Sequence, residues 1–190
     1  MGVHPLYDGN IARLEEIYLN YDNTKIVAIG ETGIDTGEEV SCQIEKFLES
    51  IALANKLKLP LIIHSNTTKG SNINAHKLCL EILKKYPSLY GFVFHYFQPD
   101  LEILSEIIKL GGYISVGGNI AKQNAKKSLE VVKNVPTEKL LIETDYSFLT
   151  TTPNDIERLT FEKICELRNK EKLPMMKTLN ENAKRLFYKL

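Results

Sequence analysis

The sequence lacks the features that mark a membrane-spanning or secreted protein. It has no tryptophan, only three cysteines, and no apolar run approaching the roughly 18 residues that a membrane span needs. Its first residues, Met1 to Pro5, have neither the basic nor the apolar region of a signal peptide. The cysteines, Cys42, Cys79 and Cys165, are far apart and odd in number. They predict a reduced, cytoplasmic setting, with a nuclear location also open.

An excess of charge of one sign is also missing, because 24 Lys and Arg residues balance 24 Asp and Glu residues. The sequence therefore shows no strongly basic surface of the kind that many nucleic-acid-binding domains carry. A nucleic acid substrate stays compatible with this balance, since bound metal ions can supply positive charge locally. The length of 190 residues and the 43% hydrophobic content predict one globular domain over residues 1–190.

Short apolar runs alternate with longer stretches of helical periodicity. The runs are nearly continuous in apolar residues, as expected of strands buried on both faces. They are Ile26–Ile29, Leu61–Ile63, Phe92–Phe94, Tyr113–Val116 and Leu140–Ile142. Apolar residues recur at helical spacing over Ile11–Tyr18, Ile44–Ile51 and Leu101–Ile108. The alternation predicts an α/β fold with a parallel sheet.

Ionisable residues follow these runs and the short apolar stretch at the N-terminus. They are His4, Glu31, His64, His95 and Asp145. In a parallel barrel all strands end at the same rim, so we expect these side chains to meet there. Histidine and carboxylate together are the ligands of zinc, manganese and related divalent ions, and such a site can lower the pKa of a bound water to roughly 7. Each residue alone has an ordinary explanation, but their repetition at successive strand ends favours a shared metal site.

These residues also lie within short motifs that occur in a fixed order. The motifs are Gly2–Pro5, Ile29–Asp35, Pro60–Ser65, Phe94–Phe97 and Leu141–Asp145, with a closing helix at Asn182–Phe187. Together they resemble the TatD family of metal-dependent deoxyribonucleases, with its motifs G-x-H-P, I-G-E-x-G-L-D, P-x-x-x-H-S, F-H-x-F and E-T-D. The resemblance implies a TIM-like (β/α)8 barrel with two divalent metal ions (Zn, Mg or Mn). It also implies that the substrate is DNA, whose phosphodiester bonds are cleaved, often from an end.

The resemblance assigns roles to the same residues. Glu31 would bridge the metals, and His64 and His95 would complete one metal site. Asp145 would bind the second ion or act as general base, so Asp145 and Glu31 are the catalytic candidates. His4 would lie near the substrate.

The sequence departs from the family pattern at several positions. It contains no His-x-His pair, which the family carries on its first strand. It also begins at what resembles the family's third strand. We therefore predict a barrel lacking its first two strands, incomplete at the N-terminus, with weakened metal binding. Asn66 replaces a usual arginine and is, like Lys122, a substrate-binding candidate. Lys122, Lys126 and Lys127 lie on a predicted loop after Val116 and could contact phosphate, although a solvated helical face explains them equally well.

Two other functions remain open at this point. A small-molecule amidohydrolase on the same barrel would collect the same residues at its strand ends, because a fold does not fix the substrate. A non-catalytic binding protein would fit the missing His-x-His pair. Reaction products separate the first alternative from DNA hydrolysis, and metal content separates the second.

Overall fold

The computed structural model describes residues 1–97, 101–121, 125–145 and 152–188. The chain forms two compact units, one of Met1–Phe94 with Leu186–Leu190 and the other of His95–Arg185. Both units contain parallel strands alternating with helices, which confirms the predicted α/β class. None of the helices in the described ranges is both long and apolar enough to span a membrane.

The first unit is built on three parallel strands. Strand β2 pairs with β1 on one side and with β3 on the other. Helix α2 packs against β1 and buries Phe47 and Ile51, one helical turn apart. The elements are α1 (Ile11–Asn20), β1 (Ile29–Asp35), α2 (Ser41–Leu57), β2 (Leu61–Asn66), α3 (Ala75–Lys85) and β3 (Phe92–Phe94).

The second unit is built on two parallel strands. Its elements are α4 (Leu101–Lys109), β4 (Tyr113–Val116), α5 (Lys126–Asn134), β5 (Leu140–Ile142), α6 (Pro153–Arg168) and α7 (Lys172–Leu186). Helix α6 packs against α5 and β5. At its last residue, the Arg168 guanidinium donates to the carbonyls of Val132 and Val135. This clamp fixes the segment that leads from α5 into β5.

Most elements agree with the sequence, but the first strand does not. The runs at Phe92, Tyr113 and Leu140 are strands with the predicted bounds, and helices cover the three periodic stretches. The first strand was predicted over Ile26–Ile29, whereas β1 begins at Ile29 and continues to Asp35. Glycine and polar residues interrupt its apolar run, while backbone pairing with β2 continues.

Two further predictions are corrected in the same way. Strand β2 runs past His64 to Asn66, so both residues belong to the strand. Lys126 and Lys127 are the first residues of α5 rather than loop residues. Lys122 lies outside the described residues.

Candidate metal centre

Two histidines and a carboxylate meet in the first unit. His4 Nε2 lies 3.4 Å from Glu31 Oε2, and His64 Nδ1 lies 3.7 Å from the same oxygen. One ligand atom from each of the three residues lies within 4.8 Å of the others. This is the geometry expected of side chains that can share one divalent ion.

Strand register explains why His64 lies between two carboxylates. His64 on β2 pairs with Gly33 on β1. Because side chains alternate along a strand, Gly33 and Asp35 share one face of β1, while Glu31 lies where the pairing register shifts and its carboxylate also approaches His64. A Cβ at Gly33 would come within 2.1 Å of the His64 carbonyl oxygen, and its φ is 139°. Glycine is therefore required at the level of His64, with one carboxylate residue two positions before it and one two positions after it.

The N-terminal segment brings His4 to the same place. The amide N–H of Gly30 donates to the carbonyl of Met1 at 2.8 Å. A Cβ at Gly2 would lie 2.3 Å from the carbonyl carbon and oxygen of Gly30. A side chain at Gly2 would thus push the segment away from β1, and His4 with it.

Asp35 determines which ring nitrogen of a neutral His64 carries the proton. The Nε2 atom of His64 lies 3.0 Å from Asp35 Oδ2, and the aspartate is buried. Burial raises the pKa of Asp35, but hydrogen bonds from the Gly37 N–H, His64 and Asn66 outweigh it and hold the pKa below its ordinary value. Asp35 is therefore a carboxylate that accepts a hydrogen bond from Nε2–H, so the lone pair of a neutral His64 lies on Nδ1, the nitrogen nearer Glu31.

His4 has the opposite arrangement. The backbone N–H of Leu6 donates to His4 Nδ1 at 3.2 Å, so a neutral His4 carries its proton on Nε2. That Nε2 atom lies 3.3 Å from the unprotonated Nδ1 of His64. The hydrogen bonds therefore run in one direction, from Leu6 through His4 and His64 to Asp35. His4 is a donor in this chain and could bind a metal only if its proton moved.

A second carboxylate–histidine pair lies in the second unit. His95 Nδ1 lies 3.3 Å from Glu143 Oε2, and Glu143 Oε1 accepts from the Tyr96 N–H at 2.5 Å and from the Ser115 hydroxyl. Burial raises the pKa of Glu143, but the hydrogen bond and charge of His95 and the other donors lower it below its ordinary value. In a neutral His95, the position of Glu143 therefore favours the proton on Nδ1 and the lone pair on Nε2.

Residues with left-handed backbone flank this pair. Tyr96 has a φ of 47° and Asp145 a φ of 45°. Each such conformation costs a non-glycine residue about 1 kcal/mol or more, and these conformations accumulate at functional sites. Burial, followed by the charges of Asp145 and Glu143, raises the pKa of the Tyr96 hydroxyl.

The predicted site residues are therefore distributed over both units. The first unit brings Glu31, His64 and His4 together. Asn66 donates to Asp35 Oδ2 at 3.1 Å, which gives it a partner within the protein as well as a predicted role with substrate. His95 and Asp145 belong to the second unit. That all four predicted ligands share one site stays a prediction.

Sequence reasoning missed Asp35, Glu143 and Ser115. Both carboxylates lie inside the recognised motifs but received no role. A second carboxylate in the same motif could have found Asp35, because it lies only four residues after Glu31. No local signal indicates Ser115, whose hydroxyl finds Glu143 from 28 residues away.

The sequence is similar to a known protein family and to two metal-dependent hydrolases. A sequence profile of the family described as "TatD related DNase" matches residues 1–188. The uncharacterized metal-dependent hydrolase YabD of Bacillus subtilis is 38% identical over 174 residues, covering 86% of this chain and 66% of YabD. YcfH of Escherichia coli, with the same description, is 31% identical over 80% of this chain and 57% of its own length. The chain thus spans less than two thirds of both relatives.

Solved structures give the same result for the fold. The crystal structure of YjjV, a TatD homologue from Escherichia coli, superimposes with a TM-score of 0.84 at 29% identity, covering 99% of this chain and 75% of YjjV. A TatD family hydrolase from Entamoeba histolytica gives a TM-score of 0.78 at 18% identity. An uncharacterized amidohydrolase from Saccharomyces cerevisiae gives 0.71 at 17% identity. The last two comparisons concern the fold alone.

Proposed function

The chain belongs to the family of TatD-related DNases, and on that premise we propose that it is a metal-dependent phosphodiesterase that cleaves DNA. The observation that carries the proposal is the meeting of Glu31 and His64 beside His4, with Asp35 behind His64. The relatives named above are described as metal-dependent hydrolases, which supports hydrolysis. The choice of DNA as substrate rests on the family.

The donor set fits a divalent ion. Glu31 supplies a carboxylate oxygen and His64 an imidazole lone pair on Nδ1, a combination typical of zinc and manganese sites. Asp35 orients His64, as a carboxylate behind a metal-bound histidine does. When bound, such an ion polarises a phosphoryl oxygen and lowers the pKa of bound water to roughly 7.

The protein's own groups would position the substrate and move protons. His4 holds a proton on Nε2 beside Glu31 and could donate a hydrogen bond to a phosphate oxygen. Asp145 keeps its predicted role as general base, accepting a proton from the attacking water. His95, whose Nδ1 is held by Glu143, presents Nε2 as a lone-pair donor and keeps its predicted role as a ligand.

The experiment is cleavage of a labelled DNA oligonucleotide by the chain loaded with Mn²⁺ or Zn²⁺. We expect products with new phosphate ends and at least a 100-fold lower rate for Glu31→Gln, since the variant keeps the shape of the side chain but loses its charge. The matched control is Glu45→Gln, which neutralises an exposed glutamate on α2. Its rate should equal that of the wild type.

Three results would contradict the proposal. Cleavage that persists in Glu31→Gln would place the chemistry elsewhere. Hydrolysis of small amides without cleavage of DNA would instead identify an amidohydrolase. A chain that retains no metal and cleaves neither substrate would support the binding-protein alternative.

A further inference from the structure

An exposed aromatic ring lies beside the candidate metal centre. The ring centroid of Tyr7 is 5.1 Å from that of His4, whose own centroid is 4.5 Å from that of His64. The Tyr7 residue is 65% exposed, so an accessible tyrosine lies next to His4, whose ring in turn contacts the candidate metal ligand His64.

The backbone of Tyr7 is held although its ring is exposed. Its N–H donates to the His4 carbonyl at 3.0 Å and closes a turn. Its carbonyl accepts from Lys46 Nζ on α2, also at 3.0 Å. The ring is therefore carried on a segment tied to α2 and to the metal-site histidine. Only its side-chain torsions remain to be ordered when a ligand stacks on it, which keeps the entropic cost of stacking low.

We propose that Tyr7 is a stacking platform for a nucleobase of the substrate, adjacent to the phosphodiester that is cleaved. This inference rests on the proposed function and adds a specificity-determining residue to it. A base has a flat π-face whatever its identity, so stacking on tyrosine selects nucleotides over other phosphodiesters without selecting sequence. The proximity of Tyr7 to His4 places the platform next to the group that we expect to contact phosphate.

The experiment measures binding of two short phosphorothioate oligonucleotides in the presence of Mn²⁺. One carries 2-aminopurine and the other carries abasic sites on the same backbone. For Tyr7→Ala we expect about 10-fold weaker binding of the first oligonucleotide, within the range measured for base–aromatic stacking, and loss of 2-aminopurine quenching. Tyr7→Phe should bind like the wild type, because the ring is kept. Tyr21→Ala, which removes another exposed tyrosine of the first unit, is the matched control.

The abasic oligonucleotide separates stacking from other effects. With no base to stack, it should bind wild type and Tyr7→Ala with equal affinity. Equal binding of the 2-aminopurine oligonucleotide by wild type and Tyr7→Ala would overturn the platform alone, provided that the wild type cleaves ordinary DNA. A wild type that neither binds nor cleaves DNA would overturn the proposed function and the platform with it.

Discussion

The two units each contain a histidine held by a carboxylate, yet they use the pair differently. In the first unit Asp35 holds Nε2 of His64, so Nδ1 is left as the lone-pair donor beside a second carboxylate. In the second unit Glu143 lies at Nδ1 of His95, which favours the lone pair of a neutral ring on Nε2. In each pair the position of the carboxylate favours one tautomer of the neutral histidine, with the proton on Nε2 of His64 and on Nδ1 of His95.

The difference lies in what surrounds the pairs. In the first unit Glu31 brings a carboxylate oxygen next to His64, and His4 lies beside both, with one atom of each residue within 4.8 Å of the others. In the second unit, the two oxygens of Glu143 accept hydrogen bonds from three donors, on His95, Tyr96 and Ser115. The residues around His64 can therefore form a cation site among themselves. Glu143 and its three donors instead hold His95 in one orientation. The first unit thus brings several side chains together, whereas the second unit orients a single histidine.

The largest expected effect tests the first unit's ability to assemble the site. Glu31→Gln should weaken Mn²⁺ or Zn²⁺ binding by more than about 100-fold, because even residues behind the ligands typically contribute about 10- to 100-fold. Isothermal titration calorimetry measures the loss. The wild type should also gain about 2.7 kcal/mol of unfolding free energy at a metal concentration 100 times Kd, and the variant should not.

Glu45→Gln serves again as the control and should bind metal like the wild type. Wild-type affinity in Glu31→Gln would show that the first unit does not assemble the site. The first unit would then, like the second, only hold one histidine by a carboxylate.

The residues around His64 show which parts of the candidate site can be predicted from the sequence. Glu31 and His64 were found because each follows an apolar run, a signal that survives even where the strand bounds are wrong. Asp35 was missed because the predicted strand ends at Ile29, whereas β1 continues to Asp35. The approach of His4 depends on the absence of a side chain at Gly2, which only the folded backbone reveals.

The second unit shows the same limit from another side. Its strands were predicted with correct bounds because they are apolar except at Ser115. The hydrogen bonds of Glu143 could not be predicted, since they join residues 28 and 48 positions apart. Apolar patterning determines where strands lie, while partners of a buried carboxylate depend on how distant loops are placed.

The next prediction compares the two carboxylate–histidine pairs directly. Asp35→Asn and Glu143→Gln should each weaken metal binding roughly 10- to 100-fold, because each puts an amide in place of the carboxylate that holds a histidine proton. Each should also lower the unfolding free energy by about 1 kcal/mol, because a donor in a partly buried network loses its acceptor. Calorimetry and urea unfolding give the two quantities.

The outcome bears on the sequence-based assignment of His95 as a metal ligand. If Glu143→Gln loses stability but keeps wild-type metal affinity, His95 is not a ligand and the second pair is structural. Glu181→Gln, an exposed glutamate of the second unit, should change neither quantity.

The smallest expected effect concerns Asn66, whose predicted role is to contact substrate. Its amide donates to Asp35 Oδ2 at 3.1 Å, the oxygen that also accepts from His64 at 3.0 Å. Asn66 is exposed, so water can replace its amide in Asn66→Ala, and metal affinity should fall by no more than about threefold, at the low end of a net hydrogen bond. If Asn66 also contacts substrate, KM for DNA should rise while metal affinity barely changes. An unchanged KM would leave Asn66 as a residue that only positions Asp35, and a large loss of metal affinity would show that Asp35 depends on it far more than its exposure indicates.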